Sequence, residues 1–261
     1  MCTRINQFVT PGNIQEWFDI ASDRIPSFPA HHNNAINTKE PQIITIRQRD
    51  GERVADVRRW GLVPHWCRDP KDAPATHNVR SETMKEKPSF KTAWSRGNRL
   101  IIPVPGVYEW PKPTWGPGTP ARYIFRQDGE PMLIAGLWWD WKHKAPDGTE
   151  AVLPTFTMNT CEPNGVLKSI PHDRMLCILD RKDIDAWLDP ENAAADQLLR
   201  PCPDEWLDYY VTTGFVNKCD KEHQGPACIE KGPSGSELPP PPKETKTQVP
   251  RKKAAPAKDT D

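Results

Sequence analysis

Runs of β-forming residues separated by turn pairs make up most of the chain. Gln42–Arg49 and Glu52–Arg59 flank Asp50-Gly51, and two such runs around Asp-Gly are the strongest short-range hairpin signal. The same pattern predicts a second hairpin from Ala121–Gln127 through Asp128-Gly129 to Pro131–Trp138. It predicts a third where Asp147-Gly148 separates Trp138–Trp141 from Ala151–Met158. Arg99–Val104 reads as a further strand, followed after Pro105-Gly106 by Val107–Trp110. Helical periodicity is shorter and sparser. Asn13 is placed to cap a helix carrying Ile14, Trp17 and Phe18, and helices are predicted over Glu162–Ser169, Arg181–Leu188 and Glu191–Leu199. Residues 25–41, rich in Pro, His and Asn, read as a loop. Dominant antiparallel strands with a few packed helices predict an α+β domain rather than a doubly wound sheet.

Composition sets the limits of that domain. From about Glu230 the chain turns to Gly, Pro, Ser and Lys, with too little apolar surface to build a core. The expected division is a folded unit over residues 2–229 and a disordered tail over 230–261. Among 261 residues, 35 basic and 35 acidic side chains give zero net charge, so any polyanion-binding surface must come from local clustering. Eleven Trp suit either a core or stacking platforms for unpaired bases. No apolar run reaches membrane-spanning length and the N-terminus lacks a signal-type apolar stretch. Seven Cys, with no C-x-x-C pair, argue against a disulfide framework, and Cys202, Cys219, His223 and Cys228 match no usual zinc spacing. Neither metal nor cofactor is expected.

Candidate chemistry begins at the second residue. Removal of Met1 by an aminopeptidase leaves Cys2 with an α-amine (pKa about 7.7–8.0) and a thiol (about 8.5) on adjacent carbons. Such a pair attacks an acyl carbon through sulfur, or condenses with an aldehyde to close a thiazolidine. Further polar groups lie in Trp60-Gly61-Leu62-Val63-Pro64-His65-Trp66, in Asn78-Val79-Arg80-Ser81-Glu82-Thr83 and in Ser169-Ile170-Pro171-His172-Asp173-Arg174-Met175. Glu109 sits among apolar residues of Ile101–Trp110, which desolvates it and suits it to proton transfer. Taken singly, each of these groups has a structural reading as core, ion pair or turn.

Taken in order, they resemble the SOS response-associated peptidase (SRAP) family of abasic-site-processing proteins. The resemblance rests on Cys2, W-G-L-V-P-x-W, N-x-R-x-E-T, I-P-x-x-G-x-Y-E-W, A-G-L-W and H-D-R-M, and runs to about Ile229. It implies a single α+β domain of twisted antiparallel sheets with a barrel-like core, short flanking helices and a groove for single-stranded DNA. It further implies a covalent thiazolidine between Cys2 and the ring-opened sugar of an abasic site. On this resemblance Cys2 is the nucleophile, Asn78 orients it, Glu109 shuttles protons and His172 assists opening of the sugar. Arg4, Arg80 and Arg174 would bind phosphates and Trp66 would pack against a base. The implied partner is single-stranded DNA containing abasic sites, met by a monomer in the cytoplasm, at the nucleoid or in the nucleus. The sequence departs from the family pattern at Thr3, Ile36, Cys67, Pro88 and Met175, none of them a proposed catalytic residue.

Three rivals remain at the level of sequence. Cysteine acylases of the N-terminal-nucleophile class also open Met-Cys-Thr, but G-x-Y-E-W and H-D-R-M have no place in their pattern. A peptidase proper would be limited to releasing Met1. A module that stacks bases without reacting would leave no adduct that survives denaturant.

Overall fold

The structure, a computed structural model, describes residues 2–35, 42–111, 118–144 and 147–233. In chain order the strands are β1 (Arg4–Gln7), β2 (His31–Ala35), β3 (Gln42–Arg49), β4 (Glu52–Trp60), β5 (Asn78–Arg80), β6 (Arg99–Val104) and β7 (Gly106–Glu109). They continue with β8 (Arg122–Arg126), β9 (Met132–Lys144), β10 (Glu150–Cys161), β11 (Met175–Leu176), β12 (Ile178–Leu179) and β13 (Leu207–Val211). The α-helices are short: α1 (Pro11–Phe18), α2 (Lys91–Ser95), α3 (Gly165–Ser169) and α4 (Ile184–Leu188).

Two sheets organise these elements. One runs β13-β8-β7-β1-β2, and the other β11-β10-β4-β3-β6-β9-β12. A pairing of β9 with β10, from Glu150↔Lys144 to Met158↔Gly136, closes β10-β4-β3-β6-β9 into a five-stranded barrel. Most pairings are antiparallel, as expected, but β10 runs parallel to both β4 and β5. Gly136 is forced by this closure, because a Cβ there would lie 2.6 Å from the Thr157 carbonyl oxygen.

The first hairpin forms as predicted. Arg49 pairs with Glu52, and Asp50 and Gly51 both take positive φ (53° and 82°), as a tight turn of that twist requires. The third forms too, β9 turning into β10 around Asp147-Gly148. The second does not. β8 pairs with β7 and β13, whereas β9 belongs to the barrel, so the Asp128-Gly129 turn passes the chain from one sheet to the other. Locally the turn is satisfied, with the Asp128 carboxylate accepting from Glu130 N–H and from Arg126. Turn chemistry alone leaves open which edge each strand joins.

Three further expectations are corrected. Thr10, not Asn13, caps α1, and Asn13 closes a reciprocal capping box from the third helical position. Residues His31–Ala35 of the expected loop form edge strand β2, which the pairing Arg4↔Ala35 and Ile5↔Asn34 imposes on residues of low strand propensity. Residues 36–41 of that loop lie outside the described residues. The helix expected over Glu191–Leu199 is only a 3-10 turn at Ala195–Leu198. There the Asn192 side chain accepts from Ala194 N–H and donates to the Ala186 carbonyl, a local competitor of the helix. Pairing also continues beyond Ile229: Lys231 bridges Thr212, and Gly232 N–H donates to the Val211 carbonyl. The expected tail from 234 onward lies outside the described residues.

Candidate active site at the N-terminal cysteine

The site forms where the two sheets meet. β1 pairs with β7 in the register Ile5↔Val107 and Asn6↔Gly106, and continuing that register brings the residues before β1 alongside Glu109. Gly106 permits the close approach on the other side, since a Cβ there would lie 2.5 Å from the Tyr123 ring. β5 arrives by pairing with β10, Met158↔Asn78 and Thr160↔Arg80. Side chains alternate along a strand, so buried Val79 anchors β5 while Asn78 and Arg80 project together from its other face. His172 follows α3, held by its N–H donating to the Leu167 carbonyl at 3.0 Å.

Cys2 is 3% exposed. Its thiol donates to the Arg4 carbonyl at 3.4 Å, and Asn78 Nδ2 donates to the Cys2 carbonyl at 2.7 Å. The Asn78 amide is thereby oriented, and its Oδ1 is buried without a partner among the described residues. Burial first, and then the charge of the neighbouring Glu109, push the Cys2 thiol well above its ordinary pKa.

Glu109 Oε2 lies 2.9 Å from His172 Nε2, and both side chains are nearly closed to solvent. The second ring nitrogen, Nδ1, stands 3.1 Å from the Arg174 carbonyl, an acceptor only. Nδ1 therefore carries a hydrogen, and the Nε2···Oε2 contact must hold one more proton to be a hydrogen bond. Burial pushes the imidazole down, but the hydrogen bond and charge of Glu109 outweigh it and hold His172 above its usual value. The pair thus holds a proton next to the thiol.

Cys2, Asn78, Glu109 and His172 are brought together. The four DNA-contact candidates divide. Arg80 is exposed on the face of β5 that carries Asn78, and has no ion pair among the described residues. Trp66 is 49% exposed, its indole N–H reaching the Pro88 carbonyl at 3.5 Å. Arg4 is turned inward: it donates to Asn33 Oδ1 at 3.0 Å and to the Val216 carbonyl at 2.5 Å, with its guanidinium 5.0 Å from the Trp110 ring centre. Arg174 is held in a fork by both Glu82 oxygens at 2.8 and 2.9 Å and donates to the Thr160 carbonyl at 2.6 Å. Glu82 was not singled out by sequence reasoning, although it lies in the N-x-R-x-E-T stretch. Its role is to fix Arg174, whose own carbonyl fixes His172.

A small, mostly antiparallel β-barrel fold in which the second residue of the chain is a buried cysteine, flanked by Asn, Glu and His, defines a class of N-terminal-cysteine proteins. The family model for SOS response associated peptidase (SRAP) matches residues 1–219, and the chain belongs to that family. It is 31% identical over 233 residues to the abasic site processing protein YoqW of Bacillus subtilis, covering 88% of this chain and 99% of that protein. The abasic site processing protein HMCES of Xenopus tropicalis is 29% identical over 251 residues, covering 84% of this chain and 72% of that protein. The crystal structure of a Bacteroides thetaiotaomicron protein is similar with a TM-score of 0.73 and 26% identity, covering 89% of this chain and 100% of that one. Among the described residues no helix is long and apolar enough to cross a membrane.

Proposed function

We propose that this chain processes abasic sites in single-stranded DNA by forming a covalent thiazolidine between mature Cys2 and the ring-opened deoxyribose. The supporting observation is the contact chain from Cys2 to Glu109 to His172, with the Glu109–His172 pair at 2.9 Å. His172 and Glu109 move protons as the sugar opens to its aldehyde. The α-amine of Cys2 adds to the aldehyde carbon, and the carbinolamine loses water to give an imine. The thiol then adds to the same carbon, forming a C–S bond while its proton passes to the imine nitrogen. The unpartnered Asn78 Oδ1 is an acceptor suited to the amine or to a hydroxyl of the opened sugar.

A thiol held well above its ordinary pKa suits this order of events. It stays protonated while the amine acts, and is deprotonated only with help from its neighbour. Arg80 takes a phosphate beside the lesion and Trp66 a neighbouring base, while Arg4 and Arg174 reach phosphate only by giving up bonds they already make. The protein acts as a monomer, all four reacting groups coming from one chain, wherever DNA is held, whether nucleoid or nucleus.

The test is denaturing electrophoresis after mixing with single-stranded DNA that carries one abasic site. Cys2→Ala, and an uncleaved N-terminal extension that keeps the thiol but blocks the amine, should both abolish the heat-stable adduct. An extended protein that crosslinks as well as the mature one would mean sulfur alone suffices, and would end the thiazolidine reading.

A further inference from the structure

A cleft of about 420 Å³ opens where the barrel wall meets the end of α2, lined among others by His65, Arg96, Asn98, Trp139, Asp140 and Lys142. Its volume falls within the usual range of roughly 300–1,000 Å³ for ligand sites. Its charge is one-sided. Arg96 and Lys142 are exposed and make no ion pair among the described residues, whereas the acid in the cleft, Asp140, is neutralised by Arg58 at 2.7 Å. The Arg96 guanidinium lies 5.0 Å from the Trp139 ring centre, and the His65 ring 5.8 Å from it. Cations that track a backbone, set beside an aromatic face, are how grooves for unpaired strands are built.

The cleft also adjoins the proposed DNA-contact surface. His65 immediately precedes exposed Trp66, and Trp66 reaches the Pro88 carbonyl. From Pro88 the chain leads into α2, which Arg96 caps at its C-terminal end. We infer that this cleft is a second DNA subsite, holding unpaired nucleotides that flank the lesion once the strand has passed Trp66. Arg96 and Lys142 take phosphates, and a base lies against Trp139. A protein partner would find two unpaired cations and little exposed aliphatic surface here, and duplex DNA would offer no free base to Trp139.

This subsite rests on the single-stranded DNA reading above, so its test avoids the reaction. Affinity is measured by fluorescence anisotropy on undamaged single strands of about 5 and about 20 nucleotides, across a salt series. Both altered positions are exposed and outside the reacting cluster, so Arg96→Glu combined with Lys142→Glu should melt like the parent. On the long strand the double variant should bind at least about tenfold more weakly, and its log–log salt slope should fall by about 1.4, since each single-strand phosphate contact contributes about 0.7. On the short strand it should bind like the parent. Unchanged affinity and slope on the long strand would overturn the subsite. Equal weakening on both strands would also overturn it, since it would reflect general charge rather than a local contact. A parent that forms no covalent adduct would sink the proposed reaction and leave this comparison readable.

Discussion

Two clusters of ionisable groups in the molecule are built differently. Along the barrel wall, Arg58 pairs with Asp140 at 2.7 Å and Asp56 at 3.3 Å, and Arg47 pairs with Asp56. Both guanidiniums flank the Trp138 ring, 4.8 and 4.7 Å from its centre. Two arginines balance two aspartates. Burial alone would raise the Asp56 pKa, but Arg58 and Arg47 outweigh it and hold it below its ordinary value. Asp56 therefore stays charged near neutral pH. In the Cys2 cluster no arginine among the described residues pairs with the acid, Glu109. It holds a thiol pushed up, an imidazole held up and a carboxylate between them, all groups able to exchange protons. Fixed charges hold the barrel; movable protons mark the chemistry.

The sharpest way to break that contrast is to remove the acid from the movable cluster. Glu109→Gln keeps the shape but cannot accept a proton, and general acid–base groups contribute typically 10²–10⁴-fold. Single-turnover crosslinking should slow by about that factor while residual product still forms. A parental rate across pH would take Glu109 out of the mechanism and leave its burial unexplained.

The converse change belongs to the fixed cluster. Arg58→Met removes one buried cation, takes the partner from Asp140 and leaves Asp56 to Arg47 alone; breaking a fully buried pair costs about 3–5 kcal/mol, and the partial exposure of both carboxylates puts the expected loss below that. Urea unfolding should show that loss, while the fraction still folded crosslinks at the parental rate. A slowed reaction in the folded fraction would show that the two clusters are coupled and that the division drawn here is false.

Sequence order made the movable cluster legible and the contacts around it much less so. Cys2, Asn78, Glu109 and His172 each stood in a motif with its own spacing, and the fold brings all four together. Arg4 and Arg174 had the same kind of warrant, yet their guanidiniums are occupied by Val216 and Glu82, 212 and 92 residues away in the chain. No local pattern announces a carbonyl that distant. The strands were legible for the same reason as the site: Arg99–Val104 and both ends of the Asp50-Gly51 hairpin follow from residue type and turn chemistry. Strand β2 and the passage from β8 to β9 between sheets were not, because pairing partners decide them rather than propensity. The fixed cluster was also invisible, since nothing local in the sequence links Arg47, Asp56, Arg58 and Asp140; strand pairing sets Asp56 diagonally across from Arg47, and Arg58 reaches Asp140 82 residues away.

A smaller effect is expected at the rim. Arg80 has neither the fixed partners of Arg58 nor a proton to exchange, so its contribution should be electrostatic and sequence-independent. Arg80→Ala should weaken binding to undamaged single strands by about tenfold at low salt and flatten the log–log slope by about 0.7. Melting temperature should not change. Identical affinity and slope would remove Arg80 from the DNA surface.

The smallest effect separates the two clusters by pH, and its sign differs between them. His172 has a folded pKa above its unfolded value of about 6.5, so its stabilisation is fully present below pH 6.5 and is lost as pH rises through the folded value. Asp56 has a folded pKa below its unfolded value of about 3.9, so its stabilisation is present above pH 3.9 and is lost as pH falls through the folded value. Melting temperatures of the parent and of Glu109→Gln, measured from pH 6 upward, should converge as the imidazole loses its proton. Parent and Arg58→Met should keep a constant separation over that range and converge only in acid, below about pH 3.9. A separation between parent and Glu109→Gln that does not change from pH 6 to pH 9 would mean that His172 and Glu109 exchange no proton in that window. The site pair would then be as fixed as the barrel network, and the distinction between holding charges and moving them would fail at its centre.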